Sequence, residues 1–219
     1  MNQLKRLAAR LPASWQEELK RIQYRHQIHH DKFLTTEPEF KILDQLVSAG
    51  DWVIDIGANV GHYTKRLSDL VGPHGRVVAI EPVPGTFALL AANASLFRHR
   101  NVTLLNVAAS DRATLVGMQI PRFDSGLANY YEASITADDG ALQVMTIAID
   151  ALAITQRIKL IKIDAEGHDP IVLQGLQGIL ARDHPIVIAE TNSPAALEKL
   201  AQFGYSGQKL KGSPNMLFR

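Results

Sequence analysis

Cysteine is absent from the 219 residues. That excludes disulfides and thiolate-held metal and suits a reducing compartment, so a cytoplasmic location is expected. No run of 18 apolar residues occurs, so no membrane-spanning helix is expected. The basic N-terminus has no long apolar stretch behind it of the kind that makes a secretory signal. A strong excess of one charge is missing too: the net charge is +1, which does not by itself imply a nucleic-acid partner. Two phosphate-gripping patterns are also absent, G-x-G-x-x-G for a pyrophosphate and Gly-Lys-Ser/Thr for a triphosphate.

What is present is an ordinary globular composition, 46% apolar and 21% charged, long enough for one α/β domain with a well-buried core. Residues 1–35 carry seven Lys/Arg against three Asp/Glu, a local net of +4. They read as a helical extension: Leu4, Leu7, Ala8 and Leu11 recur at helical spacing up to Pro12, and a second stretch runs from about Ser14 to Tyr24. A solvated face is the expectation for this basic segment, with a surface for an anionic partner as the alternative.

From residue 36 onward, strand and helix patterns alternate. Thr36 with Glu39 suggests a capping box ahead of the Phe40, Leu43, Leu46, Val47 stripe. Strands are expected from Trp52 up to the acid Asp55 and at Arg76–Ile80, Val102–Val107, Ile158–Ile163 and Pro185–Ala189, with helices between them. Asp169 is expected as an N-cap, with Pro170 as the first helical residue. Two closing strands flank Gly212-Ser213-Pro214. Residues 112–150 break the alternation and read as an inserted hairpin or flap, Leu115–Ile120 with Leu142–Ile149, carrying a long loop. The whole is an α/β fold, a Rossmann-like doubly wound sheet that is mostly parallel with an antiparallel edge.

Ligands of such sheets bind beyond the carboxyl ends of the strands. Four expected strands end in acids there: Asp55, Glu81, Asp164 and Glu190. Acids gathered on one rim repel unless a cation or hydroxyl groups lie among them. Between the first strand and its helix, Gly57 and Gly61 allow close backbone approach. Glu81 stands 20 residues beyond Gly61, the distance at which an acid takes ribose hydroxyls. A sulfonium, an ammonium and a ribose diol without phosphate describe S-adenosyl-L-methionine.

The segments Asp55-Ile-Gly-Ala-Asn-Val-Gly-His-Tyr-Thr64, Glu81-Pro82 and Lys162-Ile-Asp-Ala-Glu-Gly-His168 resemble the FkbM-type family of class I S-adenosylmethionine-dependent methyltransferases. The resemblance spans about residues 36–219, leaving residues 1–35 outside it. It implies a seven-stranded sheet with the last strand antiparallel. It implies methyl transfer to a hydroxyl of a natural product, sugar or glycan. By position, Asp55, Gly57, Asn59 and Gly61 would hold the methionine end, Glu81 with Pro82 the ribose, and Asn106 and Ala108 would border the adenine. Tyr63 is expected to line the site and His62 to lie on the helix surface. Asp164, Glu166 and His168 form the candidate catalytic group, with His168 as base if it is neutral. No metal is expected. A nucleotide-dependent oxidoreductase on the same architecture and a catalytically silent binding module stay open as other readings.

Overall fold

The computed structural model describes residues 12–121, 133–136, 142–191 and 193–219. Helices α1 (Ala13–His29) and α2 (Pro38–Leu46) precede β1 (Trp52–Ile56). Next come α3 (His62–Val71), β2 (Arg76–Ile80), α4 (Pro84–Ala94) and β3 (Val102–Leu105). A group of strands follows: β4 (Ala108–Ser110), β5 (Thr114–Gln119), β6 (Ser134–Thr136) and β7 (Leu142–Ala148). The alternation resumes with β8 (Ile158–Ile163), α5 (Asp169–Gln174), α6 (Gln177–Asp183), β9 (Ile186–Ala189) and α7 (Pro194–Gln202). It closes with β10 (Gly207–Lys209) and β11 (Met216–Phe218).

Seven strands form one sheet in the spatial order β3-β2-β1-β8-β9-β11-β10. β11 runs against both of its neighbours, and the remaining strands share one direction. The expected sheet, with its reversed last strand, is therefore present. Its central strands are near-continuous apolar runs because helices cover both faces. Alternation sorts the side chains between those faces. Ile54, Ile56, Ile161, Ile163 and Val187 pack against Val172, Leu176, Leu180 and Leu200 on one side. Val53, Val77, Leu160 and Ile188 pack against Phe40, Leu43, Leu67 and Val71 on the other.

The 112–150 segment is more than a hairpin. β5 and β7 pair antiparallel as expected, but β4 adds in parallel to β7 and β6 adds antiparallel to β5. The third strand, expected to reach Val107, ends at Leu105, and the chain after it joins this second sheet instead. An isolated two-stranded ribbon is marginal in water, and the added strands cover its edges. Val83, Ala108, Met118 and Val144 give the second sheet an apolar seam of its own against the main domain.

Three local expectations change. The Thr36–Glu39 capping box does not form: Pro38 opens α2, Glu37 stands at its N-cap without a side-chain bond, and Glu39 is buried. The N-cap of α5 is His168 rather than Asp169. Glu166 and Gly167 both take left-handed backbone, which closes a turn from the His168 amide to the Ala165 carbonyl and starts the helix one residue early. The basic N-terminal segment is not solvated all round, because Ile28 and Phe33 are buried with Val60, Leu89 and Phe97. The helix expected over Leu4–Leu11 lies outside the described residues, as does most of the loop from Arg122 to Gly140.

Candidate active site

A cavity of about 250 Å³ opens where β1, β2, β8 and β9 end. Its apolar walls come from Ile56, Ile80, Val83, Ala108 and Ala109, with Met118 and Ile135 reaching over from the second sheet. Its polar walls are Glu37, Glu81, Asp164, Glu166, His168 and Glu190.

The turn after β1 is built to be self-sufficient. The amides of Gly57 and Ala58 both donate to the Ile80 carbonyl, and that of Gly61 to Ala58. The Asn59 amide donates to Glu81 Oε2 at 2.9 Å, and the Val60 amide to the Asn59 side chain at 2.8 Å. Five consecutive amides are thus consumed internally. Gly57 is required by the fold: a Cβ there would collide with the Asp164 carbonyl, and its φ is +74°. The loop crosses so close to the end of β8 that only glycine fits.

Glu81 ends up buried, with Oε2 accepting from the Asn59 amide and Oε1 from the Val83 amide at 2.9 Å. Burial outweighs these bonds and pushes its pKa up to about 7. Each oxygen keeps a lone pair for a second donor.

Beneath the loop lies a cation that the chain provides for itself. Lys162, 3% exposed, places Nζ 2.9 Å from Asp164 Oδ2. It sits opposite Asp55 in the β1–β8 register and 4.7 Å from the centre of the Tyr63 ring. Burial disfavours its charge, but Asp164 and Asp55 outweigh burial and hold its pKa above the ordinary lysine value. Asp55 accepts from Thr64 Oγ1 at 2.6 Å. Burial raises its pKa despite Lys162, and its Oδ1 has no hydrogen-bond partner among the described residues. The Tyr63 hydroxyl is shared between Glu37 and Glu39, with burial and then Glu37 driving its pKa upward. Asn215 donates to Glu39, tying β11 into the same cluster.

Of the residues singled out in sequence, Gly57, Asn59, Glu81, Pro82, Ala108, Asp164, Glu166 and His168 line the cavity. Asp55, Gly61, Tyr63 and Asn106 do not. Asp55 and Tyr63 lie below it with Lys162, Gly61 packs under Leu90, and Asn106 donates to the carbonyls of Glu81 and Pro82. His62 is no surface residue: its ring stacks on Phe33 at 4.1 Å, and burial lowers its pKa. Glu37, Val83, Ala109, Met118 and Ile135 were not singled out, nor was Lys162 as a counter-ion. A lysine inside an apolar strand was the one available signal.

His168 is also held. Its Nε2 is 3.1 Å from Ser110 Oγ, which donates to Asp111 Oδ1 at 3.3 Å. Burial lowers the His168 pKa, with Asp111 pulling the other way, so burial rather than the helix end keeps the ring neutral. Burial likewise lifts Asp169 to about 6.

The sheet follows the dinucleotide-fold order with one antiparallel strand slotted before its edge, and the cavity at its carboxyl end presents Glu81 beside a loop whose amides are already bonded. Together these define a class I S-adenosylmethionine-dependent methyltransferase. The model of the methyltransferase FkbM domain matches residues 55–206, and the chain belongs to that family.

Solved structures agree on the fold. A methyltransferase FkbM from Methylobacillus flagellatus superposes with a TM-score of 0.56 at 16% identity, over 78% of this chain and 44% of that one. This chain therefore spans less than half the length of that protein. A precorrin-6y C5,15-methyltransferase from Geobacter metallireducens gives 0.52 at 19% identity, covering 84% and 87% of the two chains. Fibrillarin from Aeropyrum pernix, with S-adenosyl-L-methionine bound, gives 0.52 at 14%, covering 82% and 72%. No curated protein matches the sequence.

The cofactor of this family is S-adenosyl-L-methionine, and the donor set suits it. Glu81 offers two acceptor oxygens for a diol, the apolar walls suit a flat base, and the remaining carboxylates suit a cation.

Proposed function

We propose that this chain transfers a methyl group from S-adenosyl-L-methionine to a hydroxyl of a small-molecule or glycan acceptor. The observation that carries the reading is the closed loop beside an open acid. With every amide from Gly57 to Gly61 already bonded, the turn has no donor left for a pyrophosphate, while Glu81 faces the cavity with acceptor capacity unspent. This weighs against a dinucleotide and for a phosphate-free, diol-bearing ligand. Acids at the cavity also oppose a nucleic-acid backbone, which needs cations.

Bound, the cofactor supplies an electrophilic methyl group on a sulfonium. In this reading Glu81 receives the ribose hydroxyls and Gly57, Asn59 and Pro82 shape the approach. Ala108 borders the base, and Asp164 and Glu166 favour the positive charge. Asp55, Tyr63 and Lys162 act one layer below by fixing Asp164. Gly61 and Asn106 hold the loop and the end of β2.

His168 is the proposed base. The single hydroxyl proton of Ser110 goes to Asp111, so Nε2–H of His168 donates to Ser110 Oγ and Nδ1 keeps its lone pair. A neutral imidazole so oriented can take a hydroxyl proton. Positioning supplies much of the remaining acceleration.

Calorimetry with S-adenosylhomocysteine and NAD tests the cofactor half: the homologue should bind and NAD should not, and the reverse would sink the proposal. Labelled methyl transfer across sugars, polyketides and lipid-linked glycans tests the acceptor half; product carrying N-methyl groups only would overturn the hydroxyl assignment.

A further inference from the structure

The cavity has an end that the cofactor reading leaves unused. Glu81 follows β2 and Glu190 follows β9, with β1 and β8 between them. At the usual strand spacing this sets the two acids roughly 14 Å apart, at opposite ends of the opening. The ribose reading takes the Glu81 end, and Gly57 and Asp164 mark the middle, past β1 and β8. Glu190 stands one strand further out, and Glu37 reaches the same cavity from the N-cap of α2. Glu37 acts on Glu190 there. Partial burial and then Asp164 push the Glu190 carboxyl up, Lys162 opposes them, and Glu37 and Glu39 add to the rise. Glu37 also lies outside the residues that the family model matches.

This end is short of positive charge. None of the described residues lining the cavity is a lysine or an arginine. Lys162, behind it, is engaged by Asp164 and Asp55. Glu37 accepts from the Tyr63 hydroxyl, whereas no hydrogen bond or salt bridge reaches the Glu190 carboxylate among the described residues. Glu39 is fully buried, and its Oε2 has no partner among the described residues. Asp169 is buried with Oδ1 likewise unpartnered, and Asp164 and Glu190 add to the burial that lifts its pKa. Carboxylates so gathered are stabilised by a cation from outside. The cofactor brings one net positive charge, on a sulfonium that the reading above gives to Asp164 and Glu166. No group of three His, Asp or Glu among the described residues could hold a metal ion. An ammonium asks for less: three donors and no fixed coordination.

We propose that the methyl acceptor carries a protonated amine, received between Glu37 and Glu190, as well as the hydroxyl presented to His168. The inference rests on the methyl-transfer reading and names the class of its acceptor, an amino alcohol or amino sugar in place of a phosphorylated or carboxylated one. Held by carboxylates, the amine keeps its proton and has no lone pair to compete with the hydroxyl for the methyl group.

Calorimetric titration of the full chain saturated with S-adenosylhomocysteine tests it. The probes are three cyclohexanols that carry an ammonium, a second hydroxyl or a carboxylate across the ring. The amine should bind at least about tenfold more tightly than the diol, and the carboxylate more weakly than either. Glu37→Gln/Glu190→Gln should erase that preference while affinity for the homologue stays unchanged. Glu190→Gln alone alters an exposed side chain and should lose about threefold of it, which keeps the test decisive if the double variant misfolds. Equal binding of amine and diol, no binding of the amine, or an undiminished preference in both variants overturns the proposal. So does weaker homologue binding by the double variant, since this corner would then hold the cofactor's own ammonium. A parent chain that binds no homologue defeats the methyl-transfer reading and this inference with it, a result seen before any probe is added.

Discussion

Glu81 is held between two backbone amides in a place that burial makes hostile to its charge, and both facts have measurable signs. Its folded pKa of about 7 lies above the ordinary 4.5. Between those values the folded chain keeps a proton that the unfolded chain has released, so stability falls as pH rises, with the cost complete above about pH 7. Glu81→Gln escapes that cost, and its melting temperature should gain on the parent from about pH 5 to about pH 8; a constant difference would mean that Glu81 does not titrate there. Hydroxyl donors favour the ionised acid, so affinity for S-adenosylhomocysteine should rise up to about pH 7 and then level off. For His168 the sign is opposite. Burial lowers its pKa, so turnover should hold through neutrality and fall only below the ordinary histidine value of 6.5. His168→Ala should cut kcat by about 100-fold or more with homologue affinity unchanged; loss of both together would indicate a structural role. Asp111→Asn removes a carboxylate that raises this pKa, so the acid limb should move to still lower pH.

At the scale of elements, the β1–β8 pair positions the buried charges. It brings Asp55 opposite Lys162 and the loop at Gly57 against the Asp164 carbonyl. Removing the cation should leave buried acids uncompensated: Lys162→Met should cost about 3–5 kcal/mol, measured as the urea midpoint. Lys162→Met/Asp55→Asn should recover part of it, and an additive double-mutant cycle would show that the pair is not coupled. The strands themselves are legible because β2 and β8 are apolar runs closed by acids and β1 is an apolar run with Asp55 one residue before its end, and period two does the rest. The second sheet was half legible. β5 and β7 have strand composition, but β4 is Ala-Ala-Ser, which has no strand signature and pairs only because β7 is there to receive it. The same limit applied to the site. Glu81 and His168 stand at readable positions on the cavity wall, whereas the sequence alone does not show that register sets Asp55 opposite Lys162. Pairing between strands 107 residues apart is tertiary information that no local pattern carries.

At the scale of the whole molecule, the described part of the N-terminal segment, residues 12–35, is better proposed as docked than as a free extension to a 36–219 domain. Phe33 is buried against α4 and the cofactor-side loop, so Phe33→Ala should lower stability by about 3–5 kcal/mol in urea unfolding. An unchanged midpoint would restore the picture of an appendage. The self-bonded turn from Gly57 to Gly61 has a further consequence for time rather than affinity. A loop whose amides are satisfied before any ligand arrives has nothing to fold when the ligand comes. Its amide protons should exchange slowly in the free protein and hardly more slowly in the complex. Stopped-flow traces of homologue binding should show one concentration-dependent phase with no slow closure behind it.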